Sequence, residues 1–219
     1  MQSMLMIDTL LVSPLGEVPL AAMGIATTII AFILGIQMAL ANGTQLVLSR
    51  AVGSGVQSSL SKAFWAGLTI NLAVALLFWS LLTFFKQPLI QALTDNLALY
   101  TEISHYLDIS KHLVIFTALT QVIIALFNGL GRTKIPFKGY LIELPINALL
   151  SYLLIHGFST FEGLGVQGAA LGSVIAITFR LFYLALCVHY DSTISLSLHA
   201  QKSELVANIR KHFIEIFPV

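Results

Sequence analysis

The sequence predicts an all-α membrane protein, a polytopic bundle of about six transmembrane helices of which the first is incomplete. Three observations carry this reading. Hydrophobic residues make up 57% of the 219 and charged residues only 10%, against about 25% charged residues in an ordinary soluble domain. Mean hydropathy is +0.90. The ionisable groups gather between long uncharged runs, such as 18–49 and 63–85, each long enough to cross a bilayer. Lipid offers no partner to backbone N–H and C=O groups, so each run is expected to be a helix.

Taken in order, 1–13 is apolar but spans about half of what a transmembrane helix needs. It lacks the basic n-region and small-residue cleavage site of a secretory signal. Pro14 and Gly16 turn the chain into a second span at 18–48, followed by spans at 62–86, 98–130, 137–157 and 163–189, with a further helix starting near 209. The second and fourth are longer than the hydrocarbon core requires, which fits tilt or an extension beyond the bilayer, and 98–112 reads as such an extension. Gly157 and Gly163 frame the last outer turn. The expected organisation is a six-helix lobe over 1–190, a polar linker over 191–208 and the start of a seventh helix over 209–219. Loops this short leave little room for a catalytic domain outside the membrane. A weak self-similarity joins Leu15-Gly16 with Ala21-Ala22 to Leu164-Gly165 with Ala169-Ala170.

Positive charge sets the orientation. With the first segment running outward, inner loops receive Arg50, Lys62, Arg132, Lys134, Lys138, Lys202, Arg210 and Lys211, while outer loops receive Lys86, a bias of eight to one. This predicts a multi-pass protein of the plasma (inner) membrane with 191–208 on the cytoplasmic side.

Several function classes are excluded. Net charge is +1, with no basic stripe and no aromatic-basic interleaving, so no nucleic-acid partner is expected. The lone Cys187 forms no intrachain disulfide, and metal-ligand spacing is absent. No Ser/His/Asp arrangement, His pair or glycine-rich phosphate loop is present, so the chain is not read as an enzyme and needs no cofactor.

Intramembrane ionisable groups are the informative residues, because a charge at depth costs at least about 2.5–3.5 kcal/mol on insertion scales and persists where it is paired or used. Asp8, Glu143 and Arg180 are the candidates. Asp8 lies roughly 7 Å below the outer boundary, within reach of water from outside. Glu143, Asn147 and Ser151 recur every four residues and form one polar stripe on a helix that contains Pro145, which frees a backbone carbonyl suited to a small cation. Glu143 and Arg180 fall at depths that permit an intramembrane polar pair, the alternative being an Arg180 that snorkels to the inner surface. Asp108, Lys111 and His112 offer helical i,i+3 and i,i+4 pairs near the outer side. Two rows of small residues, Ala31-Gly35-Ala39-Gly43 and Gly168-Gly172-Ala176, predict close helix approach.

Across nearly its whole length the chain resembles the multidrug and toxic compound extrusion (MATE) family. The resemblance is carried by Ile7-Asp8-Thr9, Leu15-Gly16 leading to Leu20-Ala21-Ala22, Gly43 with Leu46-Val47, Gly131 with Pro136, the segment 147–157, and Leu164-Gly165-Val166-Gln167-Gly168-Ala169-Ala170. It implies one lobe of a twelve-helix transporter that uses a sodium or proton gradient to export drugs or other small amphipathic or cationic organic compounds. The C-terminal lobe would be the missing partner, and the chain is expected to be a truncated product or a fragment. The family's first-lobe cation or proton site is matched by Asp8 on the first helix and Asn147 on the fifth, with a sixth-helix hydroxyl matched by Ser173. One prokaryotic branch carries a second carboxylate where Ser151 stands, which leaves coupling by a proton at Asp8 at least as expected as a sodium site at Asp8 and Asn147. Glu143 has no role that the resemblance transfers. A lipid-linked saccharide flippase of the same superfamily, and a non-transporting or decayed membrane fragment, are the alternative readings. The flippase would want several cleft cations, and Lys111 and Arg180 are few.

Overall fold

The computed structural model describes residues 2–158, 161–192, 194, 196 and 209. The expected linker and seventh helix lie almost entirely outside the described residues. The elements are α1 (Gln2–Val12), a 3-10 turn (Ser13–Leu15), α2 (Glu17–Gly53), α3 (Gln57–Phe84), α4 (Lys86–Gln91), α5 (Leu97–Gly129), α6 (Lys134–His156), a two-residue pair of strands β1 (Gly157–Phe158) and β2 (Phe161–Glu162), and α7 (Val166–Tyr190). Among the described residues five helices, α2, α3, α5, α6 and α7, are long and apolar enough to cross a membrane, and the apolar stretch Met4–Leu15 is a shorter sixth.

Boundaries follow local chemistry. Gly16 and Gly165 precede α2 and α7 at φ 115° and 56°, backbone that a side chain rarely adopts, so the two Leu-Gly pairs of the weak self-similarity occupy equivalent helix entries. The Asn96 side chain caps α5, accepting from the backbone N–H of Ala98 at 2.9 Å and of Leu99 at 3.2 Å. From there α5 runs unbroken, so the expected extension and its span form one helix. Helix α6 continues through Pro145, whose ring leaves a carbonyl one turn earlier without its intrahelical donor. The short α4 and the β1–β2 pairing were not expected from the sequence, where 87–97 lies between two spans and Gly157 and Gly163 frame a turn.

Helix α2 packs along α5, and α6 along α7, with α3 against both α2 and α5. Two apolar clusters fill the interior: one includes Met23, Ile30, Leu34, Ala75, Leu107 and Ala118, the other Val47, Leu48, Leu60, Phe64, Val122 and Leu126. Large apolar side chains also point outward, among them Phe32, Phe84 and Phe182, at 69%, 76% and 63% exposure. Such a surface suits hydrocarbon.

Because lipid tails are as apolar as leucine, helices in a membrane associate through close packing. The α7 row works this way. A Cβ at Gly168 would lie 2.4 Å from the Leu154 carbonyl carbon, and one at Gly172 would lie 2.6 Å from Ser151 Oγ. The α2 row does not: Ala31, Gly35 and Ala39 are exposed, and a Cβ at Gly35 would meet nothing within 4 Å. Gly168→Ala is therefore expected to lower stability by about 1–3 kcal/mol through overpacking against backbone. Gly35→Ala should be neutral or slightly stabilising, and thermal unfolding of the two variants side by side checks the contrast.

Candidate functional site

Helices α1, α6 and α7 bring four of the expected residues together. Asp8 faces the α6–α7 pair from the short α1, and its side chain is 4% exposed. Ser173 Oγ donates to Asp8 Oδ2 at 3.0 Å and accepts from Asn147 Nδ2 at 3.0 Å. Asn147 Nδ2 also reaches Ser151 Oγ at 3.4 Å. Asn147 and Ser151 are both 0% exposed. Gly172 makes this closeness possible, since any side chain there would displace Ser151 from the seam where α7 meets α6.

Asp8 was expected to sit within reach of outer water; in the structure it is buried and turned inward to α6 and α7. Its Oδ1 and the Oδ1 of Asn147 are buried without a hydrogen-bond partner. These are hard oxygens of the kind that a small cation takes. A proton on Asp8 would equally turn an acceptor-only carboxylate into a donor. The donor set thus fits either a proton or sodium. Among the described residues no group of three or more His, Cys, Asp or Glu side chains comes together to hold a metal ion.

The polar stripe of α6 divides between two sites. Glu143, one turn from Asn147, turns to α7, where Arg180 Nη1 donates to its Oε2 at 2.7 Å. Both side chains are shielded, at 5% and 16% exposure. Arg180 also sits over the Tyr140 ring, 5.9 Å from its centroid, while its Nε is buried without a partner. At the other end of the bundle Asp108 pairs with Lys111 at 3.4 Å and with Lys86 at 2.6 Å. The Lys86 contact was not foreseen, because it joins positions 22 residues apart. His112 does not join this group; its Nδ1 lies 3.4 Å from Trp79 Nε1, which donates to it.

Ser173→Ala removes the hydroxyl that links Asp8 to Asn147. Leaving a buried donor and acceptor short of partners costs about 1–3 kcal/mol, and the variant should lose about that much stability. Ser173→Thr keeps the hydroxyl and should stay near the parent when the two variants are compared by thermal unfolding.

The family model MatE matches residues 1–153. The chain is 24% identical over 202 residues to an uncharacterized transporter, YisQ, of Bacillus subtilis, covering 90% of this chain and 44% of that protein. It is 27% identical over 194 residues to a probable multidrug resistance protein, NorM, of Burkholderia mallei, covering 85% of this chain and 40% of that one. The chain therefore spans less than half the length of these relatives. Among solved structures, a MATE protein in a bent conformation superposes with a TM-score of 0.85 at 17% identity, over 98% of this chain and 48% of that one. The Vibrio cholerae MATE transporter VcmN in its bent form gives a TM-score of 0.83 at 24% identity, over 98% and 49%. These likenesses show half of the twelve-helix fold. With the family model matching over most of its length, the chain belongs to the MATE family of ion-coupled, multi-pass membrane transporters and not to an enzyme family.

Proposed function

We propose that the chain is the first lobe of a cation-coupled antiporter that exports drugs or other toxic organic compounds across the plasma membrane, with 1–190 as the lobe, 191–208 as a cytoplasmic linker and 209–219 opening the next helix. The observation that carries this reading is the buried chain of contacts from Asp8 through Ser173 to Asn147 and Ser151. A carboxylate sealed between helices is expensive unless something compensates its charge. Two ligands supply that compensation, a proton or a sodium ion, and either arrives and leaves as the site opens to water.

In this mechanism Asp8 is ionised when the site is wet and carries its cation when the helices close over it. Ser173 and Asn147 hold the carboxylate against α6 and α7, so occupancy changes how α1 packs on that pair. The cation drives export only to the extent that it binds one facing state of the transporter better than the other. Names of relatives such as the Burkholderia mallei protein support a drug-like substrate. The bias of Lys and Arg toward one set of loops supports the orientation.

The test is dye efflux in everted membrane vesicles that contain the protein, with the proton and sodium gradients collapsed separately. Export that stops when one gradient is removed supports the proposal and names the ion. Export that persists with both collapsed contradicts it.

A further inference from the structure

Three uncharged polar side chains, one each on α2, α3 and α5, are buried in helices remote in sequence from the Asp8 site. Gln37 and Asn71 are 0% exposed and Thr117 is 3% exposed. Gln37 Nε2 donates to the Val114 carbonyl at 2.9 Å, and Asn71 Nδ2 donates to the Gly67 carbonyl at 2.9 Å. What remains on each amide is its oxygen. Gln37 Oε1, Asn71 Oδ1 and Thr117 Oγ1 are all buried without a hydrogen-bond partner.

Helix register puts these three residues at one depth. Helices α2 and α3 are joined by a tight turn and run antiparallel, with Thr44 against Gly67. Asn71, one turn beyond Gly67, is then level with Leu40. Gln37 is level with Val114 through its hydrogen bond, and Leu48 lies against Gly129, so α2 and α5 run parallel. Thr117, about 4.5 Å past Val114 along the axis, is also level with Leu40. Gln37 lies about 4.5 Å from Leu40 along α2, so all three buried residues fall within one helical turn of height, on three helices that each pack against the other two.

The chemistry of the layer is specific. Two carbonyl oxygens can only accept, and one hydroxyl can donate. That set is the complement of one water molecule, whose two hydrogens go to Gln37 Oε1 and Asn71 Oδ1 and whose lone pair takes the Thr117 hydrogen. No carboxylate is present among the three to balance an ion. We infer that a structural water binds between Gln37, Asn71 and Thr117, tying α2, α3 and α5 into one hydrogen-bonded unit inside the bilayer. The inference is independent of the Asp8 site.

Radiolytic hydroxyl labelling of the purified chain in 18O water tests it, because radicals formed from a trapped water modify the side chains beside it. Leu40 and Val114, at 6% and 0% exposure, should be modified in the parent and several-fold less so in Asn71→Leu and in Gln37→Leu. Absence of label at both residues in the parent, or label unchanged in both variants, overturns the inference. Thr117→Val is nearly isosteric and guards against failure of the larger substitutions to fold. Its loss of melting temperature should combine with that of Asn71→Leu to less than the sum, since either change releases the same water; full additivity overturns the inference. A sodium-dependent rise in melting temperature that survives Asp8→Asn and vanishes in Thr117→Val would assign the layer to a cation and overturn it as well.

Discussion

Asp8→Asn is expected to abolish ion-coupled efflux while leaving the amount of protein in the membrane unchanged. The two side chains have nearly the same shape, and an amide oxygen still accepts from Ser173 Oγ, which lies 3.0 Å from Asp8 Oδ2. The packing of α1 on α6 and α7 therefore survives. What disappears is the ability to bind and release a proton or to neutralise a sodium ion. Removing an ionisable group from a site that is 4% exposed also lifts a desolvation cost, so thermal stability should hold or rise. Dye export in everted vesicles should fall to the level seen with both gradients collapsed. Parent-level export by the variant would mean that coupling lies elsewhere in the transporter.

Glu143→Ala should be the most destabilising single substitution at a polar position. It strands the Arg180 guanidinium, which donates to Glu143 at 2.7 Å and already has a buried Nε without a partner. Breaking a buried pair from one side costs about 3–5 kcal/mol, mainly through the charge left behind. Arg180 is 16% exposed, which places the effect toward the lower end of that range. The double variant Glu143→Ala/Arg180→Met removes both charges and should recover most of the loss. Additive losses in thermal unfolding, with no recovery in the double variant, would show that Arg180 finds another partner when Glu143 is gone. This substitution also separates two roles on α6, because Asn147 and Ser151 belong to the Asp8 cluster and Glu143 does not.

Much of the fold was legible because a bilayer reads hydrophobicity by length. The uncharged run 18–49 falls inside α2, and 63–85 covers α3 from its seventh residue to one residue past its end, with boundaries off by a few residues where turn chemistry decides. The small α4, Lys86–Gln91, falls between apolar spans where hydropathy gives no signal, and Pro88 fits its first turn, where a missing N–H has no partner to lose. Of the candidate site, Asp8 stood out as a charge inside an apolar segment, while Asn147, Ser151 and Ser173 came from resemblance and from four-residue spacing. Sequence spacing could not tell which neighbour each stripe residue would choose. Glu143 and Asn147 share a face of α6, but one meets Arg180 and the other meets Ser173, a division set by where α7 crosses.

The α2 row shows the opposite limit. Ala31, Gly35 and Ala39 have the period of a packing seam, but periodicity names a face and not its partner, and within this lobe that face is exposed. Gln37 and Asn71 carry no charge and belong to no polar stripe, although a glutamine or asparagine in mid-span is also costly to bury. Their positions in the middle of two apolar runs were the available signal.

Asp8 is expected to bind the coupling cation within the cluster it forms with Ser173, Asn147 and Ser151. Infrared difference spectroscopy of the reconstituted protein, recorded between low and high pH and then with added sodium, observes the carboxyl group itself. A protonated-carboxyl band is expected that is lost as pH rises, that is absent in Asp8→Asn, and that shifts in pH dependence in Ser173→Ala. A band that remains unchanged in Asp8→Asn would place the titrating carboxyl elsewhere and exclude Asp8 as the cation site.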